Sequence, residues 1–246
     1  VPQFDAAAVI RNPKLLRSMQ RTFQLGTVGA VEAMQAAGLN GAAGLAQAGF
    51  APERAGVATA LDDISPLSAD LLAVLAAASD ATGAIAWDKF AELGLHRLHP
   101  FRRLTLLANM AAAHTSLLVN LQGPSFTFTS GAEAGAQALQ QACWTIAEGH
   151  ADWMVCHAAS TPMQAFRRQP GPELAGAVVL ENAAMAERRG APLLATVTVG
   201  PATAAPSAGV AAAGLLEALL RIGQSRSLNL DRLLGAEAAP ALEKLA

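Results

Sequence analysis

The chain predicts an α/β domain in which a mixed or parallel sheet is covered by helices on both faces. Three observations carry that expectation. Short segments rich in small, β-branched and aromatic residues (AGVATA, SFTFT, DWMVC, AGAVVL) alternate with longer alanine- and leucine-rich segments at helical spacing. Several of those short segments run apolar throughout, which is the mark of strands buried on both faces. A length of 246 residues is enough for one large domain and forces no second one.

In chain order, Asn12-Pro13 opens the first long helix. Leu15, Leu16, Met19, Phe23, Val28, Val31 and Met34 form its apolar stripe, and Gly38 stops it. A short strand, AGVATA, follows within residues 52–60. The adjacent carboxylates Asp62 and Asp63 invite a metal or acid-base reading, but in a loop that leads to a helix they fit solvated or capping groups better. Leu71 to Ala78 is an apolar helix, and Trp87 to Leu95 reads as a polar loop. His96 and His99 have the spacing of two metal ligands on a helix and no third to match, so no metal is expected. Arg97, Arg102 and Arg103 make a basic cluster that is either a solvated face or a face for an acidic carrier protein.

The stretch from Gly123 to Glu148 organises the rest. Ser125 to Ser130 is a strand, Ser130-Gly131 is turn chemistry, and Leu139, Ala142, Cys143 and Ile146 mark a buried helix. A strand running through a tight turn into a helix aims unpaired backbone N–H groups at one point, where nucleophiles and anions are placed. Beyond it come strands at Asp152 to Cys156, Ala175 to Leu180 and Leu193 to Val199, the last after a stop at Gly190. Residues 1–200 thus form the main unit. Residues 201–246 begin with a linker-like PATAAPSAG and continue into AAAGLLEALL, a generic amphipathic helix or a remnant of something larger.

Composition excludes several function classes. Charged residues make up 15% and the net charge is -2, so no bulk field draws the chain to nucleic acid or an anionic membrane. A hydrophobic content of 52% fits either a surface hidden by a partner or plain alanine enrichment. Cys143 and Cys156 make no disulfide framework, no secretory signal opens the chain and no apolar run is long enough to span a bilayer, so a cytoplasmic protein is expected. No cofactor is expected.

Gly123-Pro124-Ser125, then Ser130-Gly131-Ala132-Glu133-Ala134-Gly135 and Gln137-Ala138, resemble the nucleophile segment of the β-ketoacyl synthases of the thiolase fold. In that family the segment reads roughly GPN, a strand, TACASG and an alanine-rich helix. Asn109-Met110-Ala111-Ala112-Ala113-His114 is similar to its NMAAAH, Pro100-Phe101 to its PF, and Glu148-Gly149-His150-Ala151-Asp152 to its GxAD. Phe4-Asp5 with Leu16 to Gln20, and Ala175 to Ala191, extend the likeness from about Val1 to Val199. The implied fold is the N-terminal ketosynthase half with a reduced C-terminal half. Laid on without a gap, the family's catalytic cysteine falls on Ala132 and a second catalytic histidine falls on Ala208.

Decarboxylative condensation needs a thiolate to carry the acyl chain and imidazoles to activate malonyl and hold the oxyanion. Ala132 supplies neither nucleophile nor proton, and Cys143 is roughly three turns, about 16 Å, along the helix. Ser130 sits at an elbow without flanking glycines, so a turn or capping serine is the better reading, while Glu133 gains from the helix dipole. The resemblance therefore implies a subunit without condensing activity, similar to chain-length factors and, in size, to the partner subunit of aryl-polyene type clusters. Such a protein pairs with an active ketosynthase as a heterodimer, meets acyl carrier protein through that partner and shapes the far end of the acyl tunnel. The residues it implies for tunnel or interface are Leu72, Leu75, Phe101, Leu104, Leu107, Phe126, Thr127, Phe128, Thr129, Ser130 and Glu133. The competing classes are a stand-alone decarboxylase or hydrolase using Ser130 and Glu133, and a scaffold that only docks carrier proteins.

Overall fold

The computed structural model describes residues 4–39, 41–61, 69–98, 104–161, 173–191, 193–198 and 227–229. Its centre is a four-stranded sheet of order β2-β1-β3-β4, built from β1 (Ala55–Leu61), β2 (Ser125–Phe128), β3 (Trp153–Ser160) and β4 (Leu174–Glu181). β1 is parallel to both β2 and β3, and β4 closes the other side antiparallel to β3. Every residue of β1 and β3 is buried, as continuous apolar runs require, whereas β2 and β4 are half-buried at the ends of the sheet. The expected mixed α/β sheet is present.

Helices cover the two faces unequally. On one face α7 (Ala134–Ala147) packs Ala138, Leu139 and Ala142 onto Ala58, Ala60, Met154, Cys156 and Ala158. The alanines let the helix approach the sheet closely. On the other face lie α2 (Arg21–Ala36) and α6 (Asn109–Val119), with Phe23, Val28, Met34 and Ala112 among the buried residues. Trp153, fully buried, tilts against Phe50 at 6.0 Å between ring centres.

Two expectations need correction. The first long helix is two: α1 (Pro13–Arg17), capped by Asn12, and α2, separated at Ser18, Met19 and Gln20. Side chains break it, because Ser18 Oγ bonds Leu15 O at 2.7 Å and His114 Nε2 at 3.0 Å, and Gln20 Nε2 bonds the Thr105 carbonyl while its own backbone is extended. Trp87 to Leu95 is no loop but part of α5 (Trp87–Arg97), with Asp88 in its first turn and His96 and Arg97 in its last. It buries no residue, and it packs beside α4 (Ala69–Ala78) after the Asp80–Gly83 turn. Beyond residue 198 the described residues are 227–229, a strand β6 (Ser227–Asn229) parallel to β5 (Thr196–Thr198). A three-residue strand leaves no readable periodicity. The expected helix at 211–220, Ala208, Asp62, Asp63, His99, Phe101, Arg102 and Arg103 lie outside the described residues.

Candidate functional site

β2 delivers the chain to the turn. It ends at Phe128; Thr129 and Ser130 are exposed; Gly131 adopts φ 67°; and residues Gly131–Glu133 form a single 3-10 turn before α7 begins at Ala134. The left-handed angle suits glycine, and a Cβ at Gly131 would meet nothing within 4 Å, so the turn faces open space. Ala132 sits inside this turn.

The polar groups here hold one another. Ser130 Oγ donates to Gln137 Oε1 at 2.5 Å, and Gln137 Nε2 donates to Glu133 Oε2 at 3.3 Å. Ser130 caps no backbone N–H; it is tied to a side chain two turns along α7, which corrects the capping expectation. Its proton points at an amide oxygen rather than at a base. Glu133 and Gln137 are an i,i+4 pair, a spacing that could have identified Gln137 from sequence.

The thiols are elsewhere. Cys143 is half-buried on α7 and burial pushes it up to about 12, while Cys156, fully buried on β3, is pushed up by burial and further by Cys143. Neither forms a thiolate at neutral pH. The buried histidines among the described residues are elsewhere too. His114 and His157 lie on the α2/α6 face, His114 bonded to Ser18 and His157 to Thr59 at 2.9 Å and Thr115 at 3.2 Å. Sequence analysis missed this network, since a lone threonine or serine in an apolar run gives no sign of its partner.

Of the other expected residues, Phe126 and Phe128 are half-buried against the α7 cluster, and Thr127 pairs with Thr59 across the β1–β2 ladder. Leu72 is 36% and Leu107 49% exposed, which excludes a core role for both, while Leu75 and Leu104 are half-buried. The structure brings Ser130, Glu133 and β2 together. Among the described residues, no group of three potential metal ligands occurs.

Comparison with known proteins assigns the fold. The family profile described as "Beta-ketoacyl synthase, N-terminal domain" matches residues 1–169. The chain belongs to the β-ketoacyl synthase family. Among solved structures it is similar to a type II polyketide synthase acyl-carrier protein in complex with its ketosynthase bound to the hexaketide, at a TM-score of 0.65 and 20% identity, over 95% of this chain and 76% of that one. It is similar also to a β-ketoacyl synthase from Burkholderia phymatum (TM-score 0.54, 21% identity, 91% of this chain and 58% of that one). A ketosynthase of the bacillaene polyketide synthase of Bacillus amyloliquefaciens matches at a TM-score of 0.54 and 15% identity, over 78% of this chain and 33% of that one. At these identities the likeness is one of fold. The chain thus spans little more than half the length of the Burkholderia synthase. No curated protein matches it.

Proposed function

We propose that the protein is a non-catalytic, chain-length-factor-like partner of an active ketosynthase in polyketide, polyene or fatty-acid-like chain elongation. The observation that carries this is the state of the turn. Ala132 occupies the position where the family resemblance places the nucleophile, and the neighbouring hydroxyl is committed to Gln137. A condensing site needs a thiolate and imidazoles at that point. The described thiols are held protonated by burial, and His114 and His157 lie behind the sheet.

The open edge of β2 supports the partner role. Val57 N–H bonds the Pro124 carbonyl at 2.9 Å, so in this parallel ladder the N–H groups of Phe126 and Phe128 face β1. Those of Ser125 and Thr127 point out of the sheet, where among the described residues no strand meets them. A second subunit pairing there would supply the missing ladder. The chain would then meet acyl carrier protein through its partner, and Leu72, Leu75, Leu104 and Leu107 would line the far end of the acyl tunnel.

The test is to purify the protein alone and together with a ketosynthase encoded beside it, then to measure malonyl-dependent extension and product length. The expected result is no turnover alone, turnover in the pair, and no activity restored to the lone chain by Ala132→Cys. Condensation or decarboxylation by the isolated protein would overturn the assignment.

A further inference from the structure

The face of the sheet opposite the turn hides a polar relay within a largely apolar layer. Thr27 on α2, Thr59 on β1, Thr115 on α6 and His157 on β3 are all fully buried. Thr115 Oγ1 donates to the Ala111 carbonyl at 3.0 Å, which uses its only proton. With that proton spent it accepts from Thr27 Oγ1 at 3.1 Å and from His157 Nε2 at 3.2 Å, which assigns the proton of the neutral ring to Nε2, with Thr59 Oγ1 at 2.9 Å as a second acceptor for it. His157 Nδ1 is then a bare lone pair, and it has no partner.

No space remains for one. A Cβ on Gly26 of α2 would stand 2.7 Å from Nδ1, so α2 lies directly against that edge of the ring and leaves no room for water. Among the described residues, those shown against the ring are Gly26 from α2, Thr59 from β1 and Thr115 from α6, and none of them ionises. His114, one residue before Thr115, repeats the pattern. Ser18 spends its proton on Leu15 O, so His114 Nε2 donates to Ser18 Oγ and Nδ1 is left without a partner.

We infer that His157 is an acid-sensitive latch. A second proton on the His157 ring has no acceptor while α2 is seated, so protonation requires α2 to leave the sheet. The opposite face holds no such group: α7 meets the sheet through alanines, Leu139 and two thiols that stay neutral in acid. Acid therefore opens the molecule on one side. Burial lowers His157 from 6.5 to about 4 and lowers His114 as well. Between these two values the opened form binds a proton that the closed form refuses, so the opening equilibrium of α2 rises about tenfold for each pH unit lost.

Segment-resolved hydrogen exchange on the full chain between pH 7 and pH 3.5 tests this. Amides of α2 should show that tenfold rise per unit while amides of α7 hold their protection, and His157→Gln, which keeps a donor at the Nε2 position and removes the titrating nitrogen, should flatten the slope. Loss of α2 and α7 protection together in the wild type, or an unchanged slope in His157→Gln, would overturn the latch. Should that variant not fold, the His157 Cε1 resonance of the wild type decides: titration near 6.5 with α2 still protected refutes the inference, and a ring that stays neutral until α2 opens upholds it.

Discussion

The two faces of the sheet are built from different materials. The α7 face is packed by Ala134, Ala138, Leu139, Ala142 and Cys156, and it leads into the turn that exposes Ser130. The α2/α6 face is packed by larger side chains, Phe23, Met34, Trp153 and Val155, and carries every buried histidine among the described residues. The difference separates residue type from role. His114, within a motif similar to the ketosynthase NMAAAH, is a structural group bonded to Ser18, and among the described residues the Ser130 hydroxyl is bonded to Gln137 rather than to an imidazole. What looks reactive in the sequence is walled off from the place where a reaction would occur.

The largest effects should come from the heavier face. Phe23→Ala, at a fully buried position, should cost about 3–5 kcal/mol in urea unfolding. Gly26→Ala should cost about 1–3 kcal/mol through collision with His157. His157→Ala in the same chain should recover most of that cost, and purely additive losses would show that the 2.7 Å approach is not the cause.

An intermediate effect concerns the edge on which the α7 face ends. Thr127→Pro removes a donor that points away from β1, so the isolated protein should keep its thermal stability within a few degrees and lose its ketosynthase partner on size-exclusion chromatography. Phe126→Pro instead removes a donor to β1 and should destabilise the isolated chain as well. If both variants still co-purify with the ketosynthase, β2 is not the interface.

How much of this could be read beforehand follows the same division. Strands and helices with long apolar runs, such as β1, β3 and α7, were legible because burial on both sides leaves a continuous signal. So was the turn, through Ser130-Gly131. The break at Ser18 was not, because contacts from His114, 96 residues away, decide it. Nor was α5, which buries no residue and exposes Trp87 and Leu95, nor the bond that takes Ser130 out of use. Long-range polar contacts leave no local pattern.

A smaller effect distinguishes wall from core on α4. Leu72 is 36% exposed and Val74 fully buried, two residues apart on one helix. Leu72→Ala should change stability by about 0.5 kcal/mol or less, and Val74→Ala should cost about 1–3 kcal/mol. In complex with a ketosynthase, Leu72→Trp should shorten the products seen by mass spectrometry. Unchanged product length for Trp at Leu72, Leu75 and Leu104 in folded variants would leave the protein a scaffold only.

The smallest effect uses a second titration to isolate the first. Arg21, at the start of α2, grips Glu173 through Nε at 2.9 Å and a second nitrogen at 3.0 Å, and its guanidinium lies 4.5 Å over the Phe4 ring. The hydrogen bond from Arg21 holds the Glu173 carboxyl down from 4.5 to about 2. A depressed acid stabilises the fold above its unfolded value and loses that contribution as pH falls through its folded value, so this pair acts between 4.5 and about 2. The pair is partly exposed, which limits its worth to about 0.5–1 kcal/mol. His157 acts in the same direction at higher pH, with stability lost as pH falls from 6.5 to about 4. The two windows scarcely overlap. Urea midpoints measured across both should therefore fall in two steps, and Glu173→Gln should remove the lower step while leaving the upper one in place. A variant that erases both steps would mean that α2 is held by its charged end rather than by the uncharged ring beneath it.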